Sequence, residues 1–260
     1  MINLIYGEFY KYRKSLALKI CLLITTSCAI LLGVLSNGMA KGTMEMTADS
    51  LSGLSDIFII SVLGALMAGL AICGDFDTKN IHDAISCGRR NIVISKSIGY
   101  CVIIALLTLP YAIVGFVGFV SGGEFQTSLS YSTYLSMMAN PSKLAIDGTG
   151  IAKSIEVLLI SIVLYTARLS FCIPLAFKVK KSVVVTVVGV VLGFLCDFFV
   201  NLLSKVPLLD TIVEYTPFSY PMLTLDMGQG ELLKILCISM GFLILMIALT
   251  NLLFKKDEIK

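Results

Sequence analysis

Few side chains in this sequence are placed for chemistry. His82 is the single histidine, so the two-histidine H-E-x-x-H pattern of zinc proteases is excluded. It lies in a charged stretch, and is read as a solvated or partner-facing residue rather than the base of a Ser–His pair. Asp75, Asp77 and Asp83 form the one acidic group compact enough to consider for Mg²⁺. Helix capping is their ordinary explanation, and no metal site is assigned. No G-x-x-x-x-G-K-[ST] loop occurs, so no nucleotide site is expected on this chain. Of the eight cysteines, Cys21, Cys28, Cys101, Cys172, Cys196 and Cys237 lie in apolar runs, and Cys73 and Cys87 beside one. None sits where oxidation would pair it, so they are read as small packing residues.

Two charged residues stand inside apolar runs, where a charge is costly. Measured from the Lys178–Ser182 link that joins their runs, Arg168 lies about 15 Å deep and Asp197 about 22 Å deep, at 1.5 Å per residue. The expectation is that they pair or line an intramembrane route. The alternative is that Arg168 snorkels inward while Asp197 approaches the outer interface. Glu156, at the start of the same run as Arg168, is read as interfacial.

The elements that carry these residues are six long apolar stretches: Leu16–Leu35, Leu54–Cys73, Ile98–Val120, Glu156–Phe177, Val183–Leu203 and Leu232–Phe254. Each approaches the roughly 20 residues that a helix needs to cross a bilayer. The runs are continuous rather than alternating, which selects helices over a barrel. Composition agrees: 57% of residues are hydrophobic, 14% are charged, and mean hydropathy is +0.93. Soluble domains carry about 25% charged residues, so a water-soluble protein is excluded. The net charge of +3 gives no reason to expect nucleic-acid binding. No small-residue cleavage site follows the first run, which is therefore expected to remain as a span.

Basic residues set the orientation. Lys11, Arg13, Lys14 and Lys19, then Lys79, Arg89, Arg90 and Lys96, then Lys178, Lys180 and Lys181, and finally Lys255, Lys256 and Lys260 fall on one side. The other has only Lys41, Lys143, Lys153, Lys205 and Lys234. Both termini are therefore expected in the cytoplasm.

The expected fold is an all-α polytopic membrane protein forming one transmembrane domain over residues 1–260. Residues 1–15 form an amphipathic interfacial helix, with Ile5, Phe9, Tyr12 and Leu16 toward lipid and Glu8, Lys11 and Lys14 on another face. The link at Lys178–Ser182 is short enough to make the fourth and fifth spans antiparallel neighbours. The external segments Ser36–Gly53 and Ser121–Lys153 suit solvated turns. The segment 204–231 differs, because Pro207, Pro217 and Pro221 interrupt apolar and aromatic residues. Short helices or a re-entrant hairpin are expected there, with a packed surface loop as the alternative. In the fifth run, Gly189 and Gly193 offer a surface for close helix contact.

Residues 75–96 make the most specific segment. Asp77 or Thr78 is placed to cap a short cytoplasmic helix that presents Ile81 and Ile85 on one face. Gly88 follows as a stop, and Arg89, Arg90 and Lys96 come near the phosphates. Such a helix fits a groove on a soluble partner. Its acidic-aromatic pair, "AISCG", basic cluster and closing "SK" resemble the intracellular loop of type-2 ATP-binding cassette exporter permeases, including those linked to bacitracin or lantibiotic resistance. The resemblance covers the whole chain in outline and Asp75 to Lys96 in detail, although Asn80 stands where the family often has Thr. It implies that Asp77, Thr78, Ile81, His82, Ile85, Arg89 and Arg90 couple the chain to a separate ATPase subunit, which carries the ATP and Mg²⁺. It also implies a second permease subunit, identical or paralogous, in a bacterial cell membrane. The cargo would be amphipathic or hydrophobic, such as an antimicrobial peptide or antibiotic. An intramembrane enzyme, or an ATP-independent channel or secondary transporter, is the competing class; no motif shared between residues 1–120 and 150–260 supports an inverted repeat.

Overall fold

A computed structural model of the chain describes residues 2–44, 48–78, 88–125, 132–141, 144–203, 213–220 and 222–256. The described residues are helical throughout their regular parts. Helix α1 covers Ile2–Lys14 and α2 covers Leu16–Ala40. After a 3₁₀ turn at Ala48–Leu54 come α3 (Asp56–Asp77) and α4 (Arg89–Ser121). They are followed by α5 (Thr133–Ala139), α6 (Gly148–Val179), α7 (Ser182–Leu203) and α8 (Gln229–Lys256). Six of these, α2, α3, α4, α6, α7 and α8, are long and apolar enough to cross a membrane.

Local sequence explains where the helices begin. The Ser15 hydroxyl accepts from the Leu18 amide at 3.3 Å, that of Ser55 from Phe58 at 3.4 Å, and that of Ser132 from Leu135 at 3.2 Å. The Asp147 carboxylate accepts from the Gly150 amide at 2.9 Å. These are N-caps, which satisfy amides that have no partner within the helix. Between α6 and α7 the chain reverses through Lys180 at φ +60°. The two helices are thus adjacent.

Helix α4 is the axis of the bundle and packs on α1, α2, α3, α5, α6 and α8. The apolar window of α6 is 72% buried, whereas those of α7 and α8 are only 17% buried. Most of the apolar surface of α7 and α8 therefore faces outward, toward lipid or another chain.

Two spans are interrupted for visible reasons. In α3, Gly69–Cys73 is a π-helical turn, a geometry that widens the helix and disturbs the regular ladder. In α6, the helix loosens at Ser170–Phe171, where Ser170 and Ile173 donate to carbonyls three residues back. Pro174 causes this, because its ring clashes with the carbonyl four residues earlier and it supplies no amide hydrogen.

Three expectations are corrected. Helix α3 runs beyond Cys73 to Asp77, and α4 begins at Arg89 rather than Ile98. The third-to-fourth connection is not only solvated turns: α5 buries Tyr134, Leu135, Met137 and Met138. A Cβ added to Gly118 would lie 2.4 Å from Met138 Cγ, so a glycine there lets α5 approach α4 closely. Finally, α1 does not turn Glu8 to water. Glu8 and Tyr12 are its buried residues, whereas Ile2, Tyr6, Tyr10 and Leu16 are exposed.

Candidate functional site

The reason for the rotated α1 lies at the junction of α1, α3 and α4. Lys96, only 3% exposed, places its ammonium 3.0 Å from a Glu8 carboxylate oxygen and 3.0 Å from the Ala71 carbonyl, and ion-pairs with Asp75. Lys11 reaches the two Asp75 oxygens at 3.0 and 3.2 Å. Two carboxylates and two ammonium groups thus neutralise one another. The π turn contributes too, since Ala71 within it offers its carbonyl to Lys96. Lys96 is therefore not a phosphate-facing residue. A buried cation needs counter-charges at contact distance, and Glu8 and Asp75 supply them.

Next to Asp75, Phe76 inserts among the ends of three helices. Its ring meets Phe177 of α6 at 5.8 Å and Phe254 of α8 at 6.2 Å, both nearly perpendicular. Phe177 and Phe254 meet each other at 5.0 Å. Such edge-to-face pairs add to the burial of the rings. On the far side of residues 79–87 in sequence, Arg89 donates to the carbonyls of Phe254 and Lys255 at 3.4 and 3.0 Å. This satisfies carbonyls at the C-terminus of α8 and places a cation at the negative end of its dipole. Both flanks of the connection are thereby fastened to the bundle.

Deeper in the bundle, Arg168 and Asp197 form an ion pair. Arg168 is 5% exposed, and its other terminal nitrogen has no hydrogen-bond partner among the described residues. Its guanidinium lies 5.4 Å from the centre of the Phe218 ring. Phe218 belongs to the 3₁₀ turn Pro217–Ser219 and also meets Phe171 at 6.3 Å and Phe242 at 6.1 Å. Phe242 is midway along the 28-residue α8. The proline-containing segment therefore reaches the middle of neighbouring spans.

A third buried polar group surrounds Asp56 at the start of α3. Asp56 is fully buried, and the Tyr165 hydroxyl donates to it at 2.6 Å. Tyr165 contacts Tyr134 at 6.2 Å between rings; Tyr134 in turn meets Tyr111 at 6.3 Å and shares a 2.9 Å hydrogen bond with Ser161. Tyr111 donates to the Leu54 carbonyl at 2.9 Å. Position at the first turn of a helix favours a carboxylate there.

Among the residues singled out from sequence, Asp77 and Thr78 are exposed at the end of α3. Thr78 closes that helix, since both its amide and its hydroxyl donate to the Gly74 carbonyl, at 3.0 and 2.8 Å; a helix capped by Asp77 or Thr78 would run through 79–87, outside the described residues. Ile81, His82, Ile85 and Asp83 lie outside the described residues. Arg90 is exposed beside the half-buried Arg89. Gly189 makes its close contact within the chain, for a Cβ there would lie 3.0 Å from Ala65 Cβ and 3.2 Å from Cys172 Sγ. Gly193 is looser, with Phe171 at 3.9 Å.

Glu8, Asp56, Phe76 and Phe218 were not singled out from sequence. Asp56 carried a usable signal: a carboxylate two residues inside an apolar run. Among the described residues, no three His, Cys, Asp or Glu side chains converge as a metal site would need. The described cysteines are free thiols. The chain was compared with protein-family models and with curated proteins, and neither comparison gave a match.

Proposed function

We propose that this chain is the membrane-spanning permease subunit of a type-2 ATP-binding cassette exporter in a bacterial cell membrane. The carrying observation is the double fastening of the 79–87 connection. Asp75 and Phe76 tie one flank to α1, α4, α6 and α8, and Arg89 ties the other to the end of α8. A force applied to that connection by a soluble partner reaches four helices at once. In this reading both termini and the connection are cytoplasmic, and 79–87 docks on an ATPase subunit that holds ATP and Mg²⁺. Closure of two such ATPases around ATP moves the connection and repacks the spans.

The outward apolar faces of α7 and α8 suit lipid and a second permease subunit, identical or paralogous. The segment around Phe218 acts as a re-entrant hairpin, and Arg168 with Asp197 forms a polar joint beside the route taken by an amphipathic or hydrophobic cargo, such as an antimicrobial peptide. The chain itself performs no hydrolysis.

Purification from the native membrane in mild detergent, followed by mass identification, tests this reading. Stoichiometric recovery of an ATPase subunit supports it, and consistent recovery without one refutes it. A secondary transporter is the second reading, favoured by the fully buried Asp56 in its tyrosine cage. It requires uptake or efflux by the reconstituted chain alone, driven by an ion gradient.

A further inference from the structure

Where the start of α4 meets the end of α8, a cavity of about 630 Å³ opens, within the size range of ligand pockets. Its walls combine cationic and apolar side chains with the amide of Asn251. Arg89, Arg90 and Lys255 provide cationic heads, whereas Ala248, Leu252 and Phe254 provide an apolar side, and no carboxylate lines it among the described residues. Arg89 is held in place by its bonds to the α8 carbonyls. Gly88, which precedes α4, offers no side-chain cap, so the first amides of this 33-residue helix add partial positive charge at the same end. From the cavity, exposed Leu252, Leu249 and Leu245 follow one another up α8 at helical spacing. Cationic heads at one end and an apolar stripe leading away match a ligand with an anionic head and a long apolar tail.

We propose that this cavity binds the phosphate headgroup of an anionic phospholipid, with an acyl chain lying along Leu245, Leu249 and Leu252. Basic pockets between spans at a headgroup layer are suited to such lipids. The inference requires only that the six helices cross a bilayer, and it stands or falls separately from the ATPase-driven reading. The cations hold the phosphate, the leucines hold the tail, and the occupied lipid joins the third and sixth spans at the point where Arg89 already ties them.

The test is native mass spectrometry of the purified full chain titrated with phosphatidylglycerol or phosphatidylcholine. The wild-type chain retains one phosphatidylglycerol in preference to phosphatidylcholine. Each cation removed weakens retention about five-fold, so Arg90→Gln with Lys255→Gln weakens it about twenty-five-fold. Both residues are exposed, which spares the packing. Lys14→Gln, an exposed lysine of α1 outside the cavity, changes retention less than two-fold. Leu249→Gln weakens retention while leaving the preference for phosphatidylglycerol. Equal retention of the two lipids, equal loss in the Lys14 variant, or displacement of the lipid by millimolar inorganic phosphate would overturn the proposal.

Discussion

The ammonium of Lys96 lies 3.0 Å from the carboxylate of Glu8, although the two are 88 residues apart in the chain. This contact joins the N-terminal helix to the third span and explains why α1 packs with a charged residue inward. Asp75 completes the arrangement from the second span. A replacement of Lys96 by Met therefore leaves two carboxylates facing each other without their central cation. We expect a loss of about 3–5 kcal/mol, as for a broken buried pair. Lys11→Met should cost about 1 kcal/mol or less, because its side chain is 49% exposed. Thermal unfolding of the two variants in one detergent checks this, and equal shifts would contradict the assigned geometry.

The same network sets a pH dependence. Burial pulls the Lys11 ammonium down, but the hydrogen bond and charge of Asp75, together with Glu8, outweigh it and leave the group above the ordinary lysine value of 10.5. A raised lysine contributes stability fully below its unfolded value and loses it as pH climbs through the folded one. Stability of the wild type relative to Lys11→Met should thus be constant from neutral pH to about pH 10 and shrink above it. It should also shrink in acid as the Asp75 carboxylate takes up a proton; burial raises that group, but Lys96 and Lys11 hold it below its ordinary value. A difference that vanishes between pH 6 and 8 would show that the pair does not hold in solution.

Arg168 and Asp197 make a second testable pair. Arg168→Met takes the guanidinium away from Asp197, and Asp197→Asn leaves the guanidinium beside Phe218 without its counter-charge. The Asp197 side chain is 31% exposed and that of Arg168 only 6%. The charge stranded by Asp197→Asn is therefore the less solvated one, and this variant should lose more stability, by about 1–3 kcal/mol over the other. Exchanging the two charges should recover part of the function lost in each single variant. No recovery, with folded protein present, argues against a direct pair.

The glycines of α7 separate close packing from mere spacing. Gly189→Val should destabilise by about 1–3 kcal/mol through overpacking against Ala65 and Cys172. Gly193→Ala should be neutral or slightly stabilising, because space exists and alanine is the better helix former by about 1 kcal/mol. Unfolding temperatures of the two variants decide the matter; similar losses at both sites would place α7 differently.

The existence and order of the spans were legible in the sequence because hydropathy reports the solvent each helix must meet. Their ends were not. Asp75, Asp77, Arg89 and Lys96 look like residues that stop a span, yet helix runs through Asp75 and Lys96 and reaches out to Asp77 and Arg89 at its ends. Three of them find partners on other helices, and such partners do not register in a hydropathy window. The inward turn of Glu8 was hidden for the same reason, as periodicity sorts residues by polarity and cannot see a distant lysine. Arg168 and Asp197 were legible as charges inside apolar runs, and simple rise per residue brought them to similar depth. Asp56 was overlooked although it obeys the same logic, since it stands at the edge of its run. Helix α5 gave only a weak pattern, and its burial depends on Gly115 and Gly118 of α4.

The central claim is that the 79–87 connection is worked by a separate ATPase. A photo-activated cross-linking residue in place of Ile81, irradiated in native membranes, tests it most directly. The account predicts a dominant adduct with a nucleotide-binding subunit, whose yield changes when ATP is trapped with vanadate. Adducts with lipid alone, or with a protein that binds no nucleotide, would contradict it.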